Sequence, residues 1–303
     1  MDHWLYKSLD YSLCRLLETS EGISFLQALN AASISELGSQ LLSEDPFHDK
    51  DLLATSVRCL WSCDSPLEFL CHCLWCAHRE ALWRMPASER GEIRLPVKIT
   101  GSEHLLDTHN EATILIAPMT ICMGDAIDSV INILCRCQPG RSLVIYGEDM
   151  DTYLKREPQM EPLFAPDTTS GIKKIRTVLN QKGIFMTYPD FVYSKHAVQV
   201  GELFGMARPY SGGFLSIAAA SRATLLPLRV YYHEGDLELQ FFSPVRQPDW
   251  QPAPPRFIQT QVIRLVVGKL LEGLIKQVPN QWRLLPTLSH DSEDMARLAD
   301  IQA

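Results

Sequence analysis

From Glu111 to Asp128 the chain reads EATILIAPMTICMGDAID. Ile114-Leu115-Ile116-Ala117 is an apolar run of strand length, too short to span a membrane. Pro118 and Gly124 punctuate a turn, and Ala126 to Cys137 follows as a helix. A strand leading through a turn into a helix brings polar groups to one rim of an α/β sheet, where ligand sites gather. The groups brought there are Thr120, Cys122 and Asp125.

The same alternation continues on both sides. Ile93 to Ile99 reads as a strand that Pro96 demotes to an edge. Gly101 to Asn110 is a short helix or loop. Ser142 to Tyr146, Ile184 to Tyr188 and Thr224 to Tyr232 are apolar strands, and 237–241 alternates apolar with polar. Between them, Ser170 to Gln181 is a helix carrying Lys173, Lys174 and Arg176, and Gly212 to Ser221 is a small-residue helix. Phe257 to Gln277 repeats its apolar positions at helical spacing. Strands alternating with helices imply an α/β domain with a mixed central sheet flanked by helices, over about residues 89–290.

Residues 1–88 carry helix-spaced stripes such as Leu13, Leu16 and Leu17, and Ser65-Pro66 with Glu68 reads as a helix start. We read 1–88 as an N-terminal helical subdomain and 291–303 as a polar tail. Cys59, Cys63, Cys71, Cys73 and Cys76 crowd one segment beside His72 and His78. A zinc site needs a second cysteine pair facing Cys73 and Cys76, and none is present. These thiols read as core filler among Leu60, Trp61, Leu70, Leu74 and Trp75, and no metal is expected.

The formal charge of −8 argues against a general nucleic-acid or anionic-membrane surface. Met1-Asp2-His3-Trp4 does not open a signal peptide. The longest apolar stretch, 67–77, is broken by His72 and falls short of the about 20 residues a spanning helix needs. The expectation is a cytoplasmic protein with reduced thiols and at most peripheral membrane contact.

Four pieces in order over the stretch from about Leu95 to Leu288 resemble the lysophospholipid acyltransferase superfamily. Within it, the bacterial lipid A biosynthesis (lauroyl/myristoyl) acyltransferases look most similar. The first piece is Ile114 to Asp125, where that family has a strand followed by H-x-x-x-x-D or E. The second is Thr187-Tyr188-Pro189-Asp190. The third is Gly201-Glu202-Leu203-Phe204-Gly205 through Arg208, Gly213, Ala218 and Arg222, leading into Thr224-Leu225-Leu226-Pro227. The fourth is Glu272 followed by Pro279-Asn280-Gln281-Trp282.

The resemblance implies transfer of an acyl group from a thioester donor, an acyl carrier protein or coenzyme A, with no other cofactor. It fails at one position: Thr120 stands where the family has its histidine, with the acid present as Asp125. A threonine hydroxyl is not a base near neutral pH, and losing a general base costs ~10²–10⁴ in rate. Three readings follow. An amine acceptor needs less help than an alcohol, or another base serves; His196 is the best substitute, ahead of His104 and His109. Alternatively Cys122 takes the acyl group as a nucleophile. Or the fold has lost its chemistry and serves as a scaffold or a carrier-protein-binding protein.

The resemblance places Asp190, Gly205, Arg208 and Arg222 where the family handles substrate, and Lys173, Lys174 and Arg176 form a basic stripe suited to phosphopantetheine or an acidic carrier. The family's lipid A members carry a membrane helix that 1–88 is too polar to supply. A soluble small-molecule acceptor is therefore expected.

Overall fold

The computed structural model describes residues 96–120, 123–146, 163–165, 169–191, 198–233, 236–248 and 252–282. The helical reading of 1–88, the cysteine-rich segment within it and the polar tail lie outside the described residues.

The described elements are β1 (Val97–Thr100), α1 (Ser102–Leu106), β2 (Thr113–Ile116), α2 (Met123–Cys137), β3 (Leu143–Tyr146), β4 (Leu163–Ala165) and α3 (Thr169–Asn180). They continue with β5 (Ile184–Thr187), β6 (Val198–Leu203), β7 (Met206–Ser211), α4 (Gly212–Ser221), β8 (Thr224–His233), β9 (Asp236–Phe241) and α5 (Arg256–Ile275). A 3₁₀ turn at Pro279–Gln281 follows.

Seven strands form one sheet in the order β1-β9-β8-β2-β5-β3-β4, and β6 with β7 forms a separate hairpin. Every neighbouring pair in the large sheet is parallel except β8 with β9. The fold is thus mixed α/β with a mostly parallel sheet. The strands β2, β3 and β5, apolar but for Thr113 and Thr187, are buried along their whole length, as interior parallel strands covered on both faces must be. The alternation read at 237–241 appears as the half-buried β9. Edge strand β1 is exposed, and Pro96, just before it, accepts from the Leu237 N–H of β9 through its carbonyl at 2.9 Å.

Helices α3, α4 and α5 pack side by side, α4 touching both of the others. The small residues of α4 permit this: Ala218 and Ala219 are buried against the core with Phe214, Leu215 and Ile217. α2 buries Ala126, Ile127, Val130, Ile133 and Leu134, one helical face at i, i+1, i+4, i+7 and i+8.

Below the sheet, at the entry ends of its strands, Arg141 acts as a staple. Its Nε donates to the Lys182 carbonyl at 2.9 Å, and its Nη2 to the Glu111 carbonyl at 2.7 Å and to Thr113 Oγ1 at 3.1 Å. One guanidinium therefore ties the start of β2 to the start of β5.

Two sequence expectations need correction. Gly124 sits inside α2, so the turn after β2 is shorter than read and only Pro118 belongs to it. β4, three residues long, and the β6–β7 hairpin were not expected as strands. Pro227 stands within β8, as the sequence reads. It is tolerated because it lies opposite Ile116, at the last rung of the β2–β8 ladder.

Candidate functional site at the exit ends of the strands

Past Ile116 and Pro227 the strands β2 and β8 part, and the chain after α5 enters the gap. The Gln281 side chain meets the backbone of Tyr232 as a strand would, accepting from its N–H and donating to its carbonyl, both at 2.7 Å. Trp282 then forms an antiparallel bridge with Thr120. Both residues are buried, at 1% and 3% exposure.

Asp190 closes the arrangement from the far side, just beyond β5. Its two carboxylate oxygens accept from the Met119 N–H at 3.1 and 3.0 Å, and Oδ2 also accepts from the Trp282 indole Nε1 at 2.7 Å. Burial pushes the Asp190 carboxyl above its ordinary value, against the opposing pull of Met119, Trp282, its own amide and the Arg208 charge. Arg208, on β7 and itself buried, holds its guanidinium carbon 5.6 Å from the Trp282 ring centroid.

The hairpin that carries Arg208 is fixed to the same cluster. Its turn residues Phe204 and Gly205 both have positive φ, 57° and 74°. For glycine this costs little, but for phenylalanine it is strained. The strain is held by neighbours: Glu272 accepts from the Phe204 N–H at 2.6 Å, and the Phe204 ring meets Trp282 edge-on at 6.1 Å. Tyr210 packs over the bare Cα of Gly201 and donates to the Glu202 carbonyl at 3.0 Å. Burial, with the charges of Asp190 and Glu272, pushes the Tyr210 phenol up, so it stays a donor.

The four sequence pieces therefore meet: Met119 and Thr120 from the first, Asp190 from the second, Phe204 and Arg208 from the third, Glu272 and Trp282 from the fourth. Two expectations change in detail. Thr120, read as presented at an open rim, is enclosed because Trp282 pairs with its backbone. Asp190, read as a substrate contact, turns its oxygens to the chain's own N–H groups, which makes it a positioning residue.

Asp125 lies in the first turn of α2, beside the cluster in sequence. Cys122 and His196 lie outside the described residues. Gly205 is in the hairpin turn, and Arg222 is exposed just after α4 with φ 51°. Lys173, Lys174 and Arg176 are exposed on α3. His104 belongs to α1, which precedes β2, and His109 lies in the loop between them, at the opposite ends of the strands. Among the described residues no group of three His, Cys, Asp or Glu side chains could hold a metal ion. Among them, too, no helix is long and apolar enough to cross a membrane.

Sequence reasoning quoted Trp282 and Glu272 but assigned neither to the site, and it missed Met119 and Tyr210. Met119 acts through its backbone N–H, which every residue but proline carries, so no side-chain signal exists for it.

No family model and no curated protein matches the chain. Among solved structures it is similar to the 1-acyl-sn-glycerophosphate (LPA) acyltransferase PlsC from Thermotoga maritima. The two are 12% identical over 80% of this chain and 97% of that one, with a TM-score of 0.36. That likeness is too loose to assign a family.

Proposed function

We propose that this chain is an acyltransferase that moves an acyl group from a thioester donor to a soluble amine or hydroxyl acceptor. The donor is an acyl carrier protein or coenzyme A thioester. The observation that supports this reading is the convergence of the four motif pieces on Asp190 and Trp282, at the exit ends of the parallel strands. Ligand sites gather at that edge in sheets of this kind.

In this reading the Asp190–Trp282–Arg208 cluster is the floor that fixes the turn after β2, and Asp125 is the acid carried by that turn. With threonine in place of the motif histidine, the proton of the acceptor leaves by another route. It is lost to solvent from an amine nucleophile, passed to His196, or, where Cys122 has first taken the acyl group and the donor thiol has left, taken up by the Cys122 thiolate as the acceptor displaces it.

One observation favours a second reading, an inactive acyltransferase-fold scaffold that binds a carrier protein. Thr120 is both unable to act as a base and enclosed by the chain. A transfer assay over acyl carrier protein and coenzyme A thioesters, with amine and alcohol acceptors, separates the two. Turnover lost in Asp125→Ala supports catalysis at this rim. A trapped adduct lost in Cys122→Ala selects the covalent route, and loss in His196→Ala without an adduct selects a substitute base. No turnover with any pair, together with tight carrier-protein binding, selects the scaffold.

A further inference from the structure

Arg229, on β8, is 7% exposed. Its guanidinium lies between two aromatic rings, 4.6 Å from the centroid of Tyr231 and 5.6 Å from that of Phe242. Its two terminal nitrogens donate to the amide oxygens of Gln277 and Gln240. Among the described residues its Nε–H has no acceptor. Among the described residues no carboxylate pairs with it. The nearby Glu238 is taken by the Tyr231 hydroxyl, by His233 at 3.2 Å and by Lys98 at 3.6 Å.

A buried cation held only by neutral acceptors, with one donor left over, is an unbalanced arrangement. Oxygens of a carboxylate or phosphate bind guanidinium N–H groups roughly twice as strongly as neutral acceptors do, so an anion can replace a neutral partner on one of them. Gln277 lies just past the end of α5 and is exposed, so its side chain can leave without disturbing the core. Once it moves, Nη1 is left for an anion oxygen, beside the rings of Tyr231 and Phe242.

We propose that Arg229 is the centre of a binding site for a small oxyanion, a phosphate or carboxylate group, with Gln277 as its displaceable cover. This site does not depend on the acyl-transfer reading. β8 links it to the Asp190 cluster through Tyr232 and its bond to Gln281, and α5, which carries Glu272, ends just before Gln277.

Isothermal titration calorimetry on the full chain tests it, with inorganic phosphate in one arm and acetate in the other. Saturable binding is expected in at least one arm, and which arm responds identifies the anion. Arg229→Met should weaken that binding at least tenfold. Gln277→Glu places a carboxylate against Arg229 from within, on an exposed side chain that does not threaten folding, and should weaken it to the same degree. The absence of saturable binding in both arms, or binding that survives Gln277→Glu unchanged, overturns the proposal.

Discussion

The indole Nε1 of Trp282 donates to Asp190 Oδ2 at 2.7 Å, across 92 residues of chain. With the Met119 N–H on the same carboxylate, this bond holds together the ends of β2 and β5 and the segment after α5. The Asp190 carboxylate thus fixes the turn after β2 through a backbone N–H.

Trp282→Phe keeps the ring and removes only this donor. A hydrogen bond to a charged group contributes about 1.5–3 kcal/mol, and the variant should be less stable by that amount. Urea unfolding followed by far-UV circular dichroism measures it. A loss below about 0.5 kcal/mol, the noise of ordinary surface changes, would show that the bond is dispensable.

Two glycines separate backbone strain from steric clash. A Cβ at Gly205 meets nothing within 4 Å, so Gly205→Ala carries only the cost of its positive φ, about 1–2 kcal/mol. At Gly101, with φ 70°, a Cβ would lie 2.0 Å from the Phe241 carbonyl oxygen. Gly101→Ala must shift main chain between β1 and β9 and should cost more than Gly205→Ala. Equal midpoints in thermal melts of the two variants would contradict the packing described.

Glu111 gives a pH dependence with a definite sign. Burial raises its carboxyl, but bonds from Thr224 and Arg246 and the charges of Arg246 and Arg141 outweigh it, and the net shift is downward from 4.5. A depressed acid stabilises the fold above its unfolded value and loses that contribution as pH falls through the folded one. Glu111→Gln should therefore be less stable than the parent at pH 7, with the gap closing below about pH 4.5. A gap that stays constant from pH 7 to pH 3 would place the effect elsewhere.

Thr120→His restores the residue that the acyltransferase reading finds missing. If a general base is what limits transfer, thioester turnover should rise by roughly 10²–10⁴-fold. Donor consumption with a matched acceptor measures it, beside a melting curve that checks whether the imidazole fits the enclosed position. A folded variant with no gain favours the scaffold.

Much of the sheet was legible because burial leaves a direct mark on composition: Ile114 to Ile116 and Leu143 to Tyr146 are apolar throughout, and Leu237, Leu239 and Phe241 alternate. The β6–β7 hairpin was not, because its turn uses Phe204 where glycine or asparagine is the usual signal. The compensation for that choice comes from Glu272 and Trp282, far along the chain. For the site, the four segments quoted from the sequence meet in the fold, and two residues in them face differently from the reading. A carboxylate next to a turn looks the same in sequence whether it faces a substrate or the Met119 N–H. A threonine looks equally available whether or not Trp282 has paired with its backbone.

A double-mutant cycle on Asp190→Asn and Trp282→Phe, read as unfolding free energy, tests most directly the convergence on which the acyl-transfer reading stands. Coupled charged groups and their donors show interaction energies of about 0.5–3 kcal/mol, and the structure predicts a value in the upper half of that range. Additive losses, with no coupling between the two substitutions, would mean that the segments do not meet at this carboxylate.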